Sequence, residues 1–260
     1  MSITKRGLSS YEIFMLNDKS QQIRQMFSAI APHYDLLNHL LSANIDRLWR
    51  RRAVRHLAPC LSKPAALCLD LCCGTGDLAL EIACQHPARI LAFDFSHPMV
   101  TRAALKSSNR GLSERIHLVE ADALQVPLGD GMADALTIGF GLRNLVNLKS
   151  GLLEMRRVLK PGGKLLILEF AKPAHPIFRS SFDFYFNRIL PRIGKLISRH
   201  HSAYTYLPGS VAGFPSQQEL VQLLEETGFV RVRYENLTGG IAAIHRGEKP
   251  LVPYDPKNVS

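Results

Sequence analysis

The residues best placed to do chemistry lie between 67 and 83, where the chain reads LCLDLCCGTGDLALEIA. An apolar run carries Asp70 and breaks at Gly74-Thr75-Gly76, and an Ala/Leu/Ile-rich helical pattern follows at once. That pattern predicts a buried strand, a tight turn and a helix N-terminus. Glycine at 74 and 76 removes side chains that would hold a ligand off the backbone, and permits positive φ. The first helical turn then points N–H groups at whatever lies above the strand. A nucleotide-like ligand fits such a place; the plainer alternative is a turn whose glycines serve packing alone.

Gly74, Gly76 and Ala79 satisfy G-x-G-x-x-A, so a dinucleotide and a hydride-transfer enzyme are one alternative. Asp70 and Asp77 argue against it, because carboxylates beside the turn repel a pyrophosphate. S-adenosylmethionine carries no phosphate, and its ammonium and sulfonium suit acidic neighbours. A methyl donor is therefore the expected ligand. Residues 88–95 (ARILAFDF) read as a second strand ending in Asp94, 18 residues past Gly76. An acid near that offset accepts hydrogen bonds from a ribose diol; its alternative role is a helix N-cap. A third strand, 115–121, leads into Asp122-Ala123, where a short acid can meet an adenine amino group and a small residue leaves room for the ring.

Positioning these groups requires a particular scaffold. Residues 133–140 and 164–170 read as fourth and fifth strands, with a helix at 148–159 and a turn at Lys160-Pro161-Gly162-Gly163 between them. Strands alternating with helices at this pace imply a parallel sheet with right-handed crossovers. Ligands of such sheets bind outside the carboxyl ends of the strands, which puts Gly74, Asp94, Asp122 and Arg143 along one rim. A helix at 215–227 with Ser216 as N-cap precedes strands at 229–237 and 241–246 around Thr238-Gly239-Gly240, a hairpin signal that adds an antiparallel edge strand.

Before the first strand, Ile23, Met26, Phe27 and Ile30 mark a helix face from Lys19 until Pro32. A second stripe follows at Leu48, Trp49, Ala53 and Leu57, with Arg50, Arg51, Arg52 and Arg55 on its other sides. These helices are expected to cap the open end of the sheet, with Tyr34, Asp35 and Asn38 between them. The expected organisation is an arm at 1–18, one domain over 19–247 (helical cap 19–60, helical lid insertion 172–206), and a tail at 248–260.

The 260 residues are 46% hydrophobic and 21% charged, ordinary globular material. No apolar run reaches the ~18 residues of a membrane span, and the N-terminus lacks an apolar signal core, so a cytoplasmic location is expected. Cys60, Cys68, Cys72, Cys73 and Cys84 show no paired metal-ligand spacing and are expected to be buried reduced thiols; no metal site is read. The net charge of +10 is uneven: residues 1–60 hold nine Lys/Arg against four Asp/Glu, and residues 172–201 hold six against one. Two basic segments suit an anionic surface, lipid headgroups or RNA; a merely solvated basic face is the alternative. The aromatic, basic stretch after 172 suits a lid over a lipid-tailed substrate, and a hairpin packed on its own domain is the plainer reading.

Five stretches, AIAPHYDLLNHLLS with DRLWRRRAV, LDLCCGTGD, GFGLRN, RRVLKPGGKLLILEF and YTYLPGSVAGFPSQQEL, together resemble the ubiquinone/menaquinone biosynthesis C-methyltransferases over roughly 20–247. LDLCCGTGD and LKPGG occur in many methyltransferases, whereas HYDLLNHLLS and FGLRN are specific. The resemblance implies an α/β fold: a seven-stranded, Rossmann-like class I methyltransferase sheet with a terminal antiparallel hairpin, an N-terminal helical cap and a helical insertion after strand 5. It also implies that Thr75, Asp94, Asp122 and Ala123 contact S-adenosylmethionine, alongside Asp70, Gly74 and Gly76. Gly139, also expected at the donor, stands where the family usually has Ser, so its contact would be lost or made by backbone; Cys72 and Cys73 stand where Ala and Gly are common.

The implied reaction is methylation of a ring carbon on a polyprenyl quinol: demethylmenaquinol first, a 2-methoxy-6-polyprenyl-1,4-benzoquinol as the alternative. Arg143 would stabilise the quinolate or orient a water that takes the proton, unless it is only a salt bridge. Asn144 and Tyr34 would position the quinol hydroxyls. The expected partners are the quinol and, transiently, an anionic membrane surface at the inner face of the cell membrane. No nucleic acid is expected, and a homodimer is left open.

Overall fold

Strand alternation separates two cores. In β1 (Leu67–Leu71), Cys68 packs into one hydrophobic cluster while Leu69 and Leu71 pack into another on the opposite face. Both faces are covered, which is why the strands read as nearly continuous apolar runs. The computed structural model describes residues 10–42, 44–173 and 201–251.

The sheet comprises β1, β2 (Arg89–Asp94), β3 (Ile116–Glu120), β4 (Ala133–Gly139), β5 (Leu159–Phe170), β6 (Val230–Leu237) and β7 (Ala242–Glu248), in the order β3-β2-β1-β4-β5-β7-β6. Strands β1 to β5 pair in parallel, and β7 is antiparallel to both β5 and β6. The antiparallel strand is thus interior, and the edge belongs to β6, which corrects the expected antiparallel edge. A hairpin entering a parallel sheet can dock by either arm. Here the more buried one, β7, takes the inner place.

The helices are α1 (Ser10–Ile30), α2 (Tyr34–Leu41), α3 (Ile45–Arg55), α4 (Ala58–Leu61), α5 (Asp77–Gln85), α6 (His97–Asn109), α7 (Leu148–Val158), α8 (His201–Ala212) and α9 (Gln217–Glu226). Residues of α3, α4 and α5 fill one core; residues of α7 and α9 fill the other. Ser216 caps α9 in a capping box with Glu219, as expected.

Several boundaries differ from expectation. Helix α1 starts at Ser10, not Lys19, because no glycine or proline interrupts residues 8–31 even where the apolar stripe lapses. Lys160 to Gly163 lie within β5, where pairing with β4 jumps from Ala133–Leu159 to Ala135–Lys164. The expected turn is a bulge, with Gly162 at φ 77°. Glu248 ends β7, and Lys249 exchanges backbone hydrogen bonds with Gly162 and Gly163, so the tail is anchored at its start. On α3, Trp49 and Ala53 are buried as expected, as is Leu57 just beyond it, but Leu48 is 62% exposed and Arg50 is buried, the reverse of what was expected of those two. The inward face runs through Asp46, Trp49, Arg50, Ala53 and Val54. Cys84 is exposed and Cys60 half-buried, so the thiols are free but not all buried. Of the expected lid at 172–206, residues 174–200 lie outside the described residues.

Candidate active site

The turn after β1 owes its path to local backbone demands. Gly74 has φ 55° and Gly76 φ 84°, and a Cβ on Gly76 would lie 3.0 Å from Ala103 Cβ of α6. Gly76 therefore serves the turn and the approach of α6, and it is not among the residues that line the three clefts described below. Two non-glycine residues at strand ends, Cys72 (φ 52°) and Phe140 (φ 57°), also hold left-handed backbone. Such strain concentrates at functional sites, and both residues border the clefts.

Three clefts meet above the carboxyl ends of β1, β2 and β4. One runs from Gly74 and Asp94 to Asp122, Ala123 and Gly139. A second, polar one lies over the turn and is lined by Asp70, Cys73, Thr75, Asp77 and Arg50. The third is largely apolar, walled by Met26, Phe27 and Ile30 of α1, Phe140, Phe170 and Leu207, with Arg143 and Tyr206 among its polar groups. Tyr34 and Phe140 border all three. A transferable group held where the clefts meet can pass from a polar carrier to an apolar acceptor away from bulk water.

The Asp94 carboxylate accepts from Gly74 N–H at 2.8 Å and Ser96 N–H at 2.9 Å, so it fixes the turn as well as facing the first cleft. Burial raises its pKa against those hydrogen bonds. Asp122 accepts from Leu124 N–H at 2.9 Å, and Ala123 beside it is buried. Asp70 is fully buried; its Oδ1 accepts from Thr137 Oγ1 at 2.7 Å and its Oδ2 makes no hydrogen bond. Burial pushes its carboxyl up to about 7, opposed chiefly by the bond from Thr137. Burial also raises the thiols of Cys72 and Cys73.

Thr75 lines the polar cleft, but its hydroxyl already donates to Asp35 and accepts from Lys106 Nζ at 3.2 Å. Lys106 also bonds Asp35 at 2.8 Å and Asp77 at 2.5 Å, and so ties α2, the turn and α6 together. Burial favours protonated Asp77, yet Arg50 and Lys106 hold its pKa below the ordinary carboxylate value.

Arg143 borders the apolar cleft as a paired cation. Its Nη1 donates to Glu169 Oε1 at 2.6 Å and to Phe140 O at 2.5 Å, with both side chains almost wholly buried. Its guanidinium carbon stands 5.4 Å from the Phe170 ring centroid. Asn144 is placed differently from expectation: it lines the first cleft, and its Oδ1 accepts from Tyr206 Oη at 3.0 Å. Burial raises the Tyr34 phenol, which keeps its proton against an opposing bond from Asn38.

Sequence reasoning missed Glu169, Tyr206, Lys106 and the inward turn of Arg50. Only Arg50 carried a local signal: it is four residues after Asp46, the spacing of a helical ion pair, observed at 2.5 Å.

The clefts contain features that fit an adenosyl methyl donor: a strand-end acid for a diol, a small residue beside a second acid, and an orphaned carboxylate oxygen over the glycine turn. A profile of the ubiE/COQ5 methyltransferase family matches residues 15–249. A ubiquinone/menaquinone biosynthesis C-methyltransferase of Geobacter sp. (strain M21) is 47% identical over 239 residues, covering 91% of this chain and all of that one. A demethylmenaquinone methyltransferase of Thermus thermophilus is 49% identical over 226 residues, 86% of this chain and all of that one. Among solved structures, the [4+2]-cyclase SpnF aligns over 90% of this chain and 97% of its own (TM-score 0.65, 19% identity). A SAM-dependent methyltransferase of Aquifex aeolicus aligns over 78% and 92% (TM-score 0.56, 19% identity). At those identities the structures speak for the fold alone.

Proposed function

The chain belongs to the ubiE/COQ5 methyltransferase family, and from that premise we propose that it methylates a ring carbon of a polyprenyl quinol, with demethylmenaquinol as its substrate. The observation that carries the reading is the meeting of a polar cleft over the glycine turn with an apolar cleft that holds Arg143, at Tyr34 and Phe140. S-adenosylmethionine, when bound, supplies an electrophilic methyl group on sulfur. This chain's residues do the rest.

Asp94 retains lone pairs toward the first cleft and accepts from the ribose hydroxyls. Asp122 takes the adenine amino group, and Ala123 leaves the ring its room. Asp70 offers its unpartnered oxygen to the cationic end. Tyr34 and Phe140 wall the junction and bring donor and acceptor within the ~3–3.5 Å of a near-attack geometry. On the acceptor side Met26, Phe27 and Ile30 cover the quinol ring and keep water from it. Ring carbon becomes nucleophilic as a neighbouring hydroxyl gives its proton to a solvent water, and Arg143 steadies the resulting oxyanion. Once the methyl group is on carbon, the ring hydrogen it displaces leaves as a proton, also to water. Its Nη2 has no partner among the described residues. Glu169 holds the guanidinium in place and moderates its charge, which limits repulsion of the donor's sulfonium. Tyr206 and Asn144 form the hydrogen-bonded seam between the two sides.

Purified protein given the donor labelled at its methyl group should transfer label to the ring of a short-chain demethylmenaquinol faster than to the corresponding methoxy-benzoquinol, read by mass spectrometry. Faster labelling of the benzoquinol would reverse the choice of substrate, and label in neither ring would end the reading.

A further inference from the structure

A further cleft, of about 340 Å³, lies where β5, β7 and β6 run side by side next to the end of α3. Lys164 of β5 is level with Ala135 of β4 and, through it, with Cys68 near the start of β1. The cleft therefore opens toward the amino ends of the parallel strands and shares no lining residue with the three clefts at their carboxyl ends. Lys164, Arg231, Arg233 and Arg246 line it against one carboxylate, Glu248, which meets Lys164 and, at 2.8 Å, Arg231. Arg231 sits in the bulge of β6 with φ 53°, strained backbone of the kind that functional sites retain.

Arg233 and Arg246 stand directly opposite each other across the β6–β7 ladder, where like charges repel. Neither is bridged to a carboxylate among the described residues. Arg246 Nη1 donates to His56 Nδ1 at 3.0 Å, and its Nε is buried without a partner. The nearby acid Glu235 is already engaged by Arg52 and His56. Burial and then the neighbouring Arg246 lower the His56 pKa, so its ring stays neutral and adds no charge. An anion between the two arginines would remove their repulsion. Guanidinium forks match phosphate oxygens two at a time, and a phosphate monoester is close to doubly charged at neutral pH, which suits four cations facing one acid. Leu57 and Leu166 give the cleft an apolar floor, and its volume exceeds what a bare phosphate fills. We propose that this cleft binds a phosphate monoester, its charged group between Arg233 and Arg246 and its carbon part over Leu57 and Leu166. A soluble glycerol phosphate and a lipid whose headgroup is a bare phosphate share that chemistry.

Calorimetry on the whole protein at constant ionic strength, with sodium chloride as the balancing salt, tests the assignment with glycerol 3-phosphate and inorganic phosphate. Wild type should bind glycerol 3-phosphate saturably at one site, and more tightly than inorganic phosphate. Arg233→Gln and Arg246→Gln should each weaken it about 10-fold or more, as for a lost charge-assisted bond. Arg89→Gln, which removes an exposed charge at the start of β2, should change it less than about twofold. Without ligand, Arg233→Gln should melt no lower than wild type, because it relieves the repulsion; glycerol 3-phosphate should raise the wild-type midpoint and not the variant's. Phosphatidylcholine vesicles with and without phosphatidic acid separate the two sources. Capture by phosphatidic acid that both arginine variants lose identifies the lipid headgroup, and binding of the soluble ester without such capture identifies a free ester. The site is overturned if wild type shows neither saturable binding of the soluble ester nor arginine-dependent vesicle capture, or if Arg89→Gln weakens binding as much as Arg246→Gln does.

Discussion

Arg143 and Glu169 are 26 residues apart in sequence and share a nearly dry ion pair beside the apolar cleft. Removing one partner of such a pair leaves the other buried and uncompensated, which costs about 3–5 kcal/mol. Arg143→Ala should therefore lower the melting temperature as well as turnover, and the two losses need separating. Turnover is expected to fall about 10²–10³-fold, the range of one lost oxyanion donor, with donor affinity little changed. Raising the pH should recover part of it, since solvent then supplies the quinolate. The double variant Arg143→Ala/Glu169→Ala should regain much of the thermal stability and none of the turnover. If turnover returns with stability, Arg143 is only a structural partner. The places of strand-end acids such as Asp94 and Asp122 at the first cleft were legible, because they follow from the strand ends and the offset from the glycine turn. Glu169 was not: nothing local in LEF marks a carboxylate whose partner arrives from another strand's end. Arg143 was readable as a rim residue, whereas its neutralisation was not.

At the scale of elements, the β1–turn–α5 unit is where local sequence dictates most. Gly76 combines φ 84° with a Cβ position 3.0 Å from Ala103, so two separate penalties attach to any side chain there. The left-handed backbone alone costs roughly 1–2 kcal/mol for an L-residue. Gly76→Ala should destabilise by at least that in urea titration, and a cycle with Ala103→Gly should show coupling that offsets only the steric share. Zero coupling would mean that α6 does not constrain the turn. Strand and helix positions in the central sheet were readable from alternation and periodicity. On α3, Trp49, Ala53 and Leu57 are buried as expected, but the edge of the stripe was not legible: Leu48 and Trp49 are both apolar neighbours and only tertiary packing chooses Trp49, whose Nε1 donates to Thr238 Oγ1 at 2.8 Å. The bulge at Lys160 to Gly163 looked like a turn because its residues are turn formers whether or not pairing resumes beyond them.

Over the whole molecule, the basic surplus of the N-terminal segment is partly neutralised by ion pairs, one of them buried and the others at the surface. Arg24 meets Glu120, Arg50 meets Asp46 and Asp77, Arg51 meets Glu81, and Arg52 meets Glu235. That shifts the weight of a membrane-surface proposal toward residues 172–201. No helix among the described residues is long and apolar enough to cross a membrane. We expect the protein to sediment with anionic vesicles, to release as salt is raised, and to ignore zwitterionic ones, with each basic group near the surface contributing about 1 kcal/mol. Equal partition onto both kinds of vesicle would remove the electrostatic docking. The strand order has a further consequence for how the chain comes into being. β7 is the last strand in sequence, yet it lies between β5 and β6. During synthesis β5 waits with one edge bare while the ribosome adds everything from Phe170 to Ala242, at about 5–20 residues per second a matter of several seconds or more. An open strand edge is a template for pairing with other chains. The nascent polypeptide is thus most exposed to misassembly through the very strand that carries Glu169, and a chain stopped before residue 242 keeps that edge open for good.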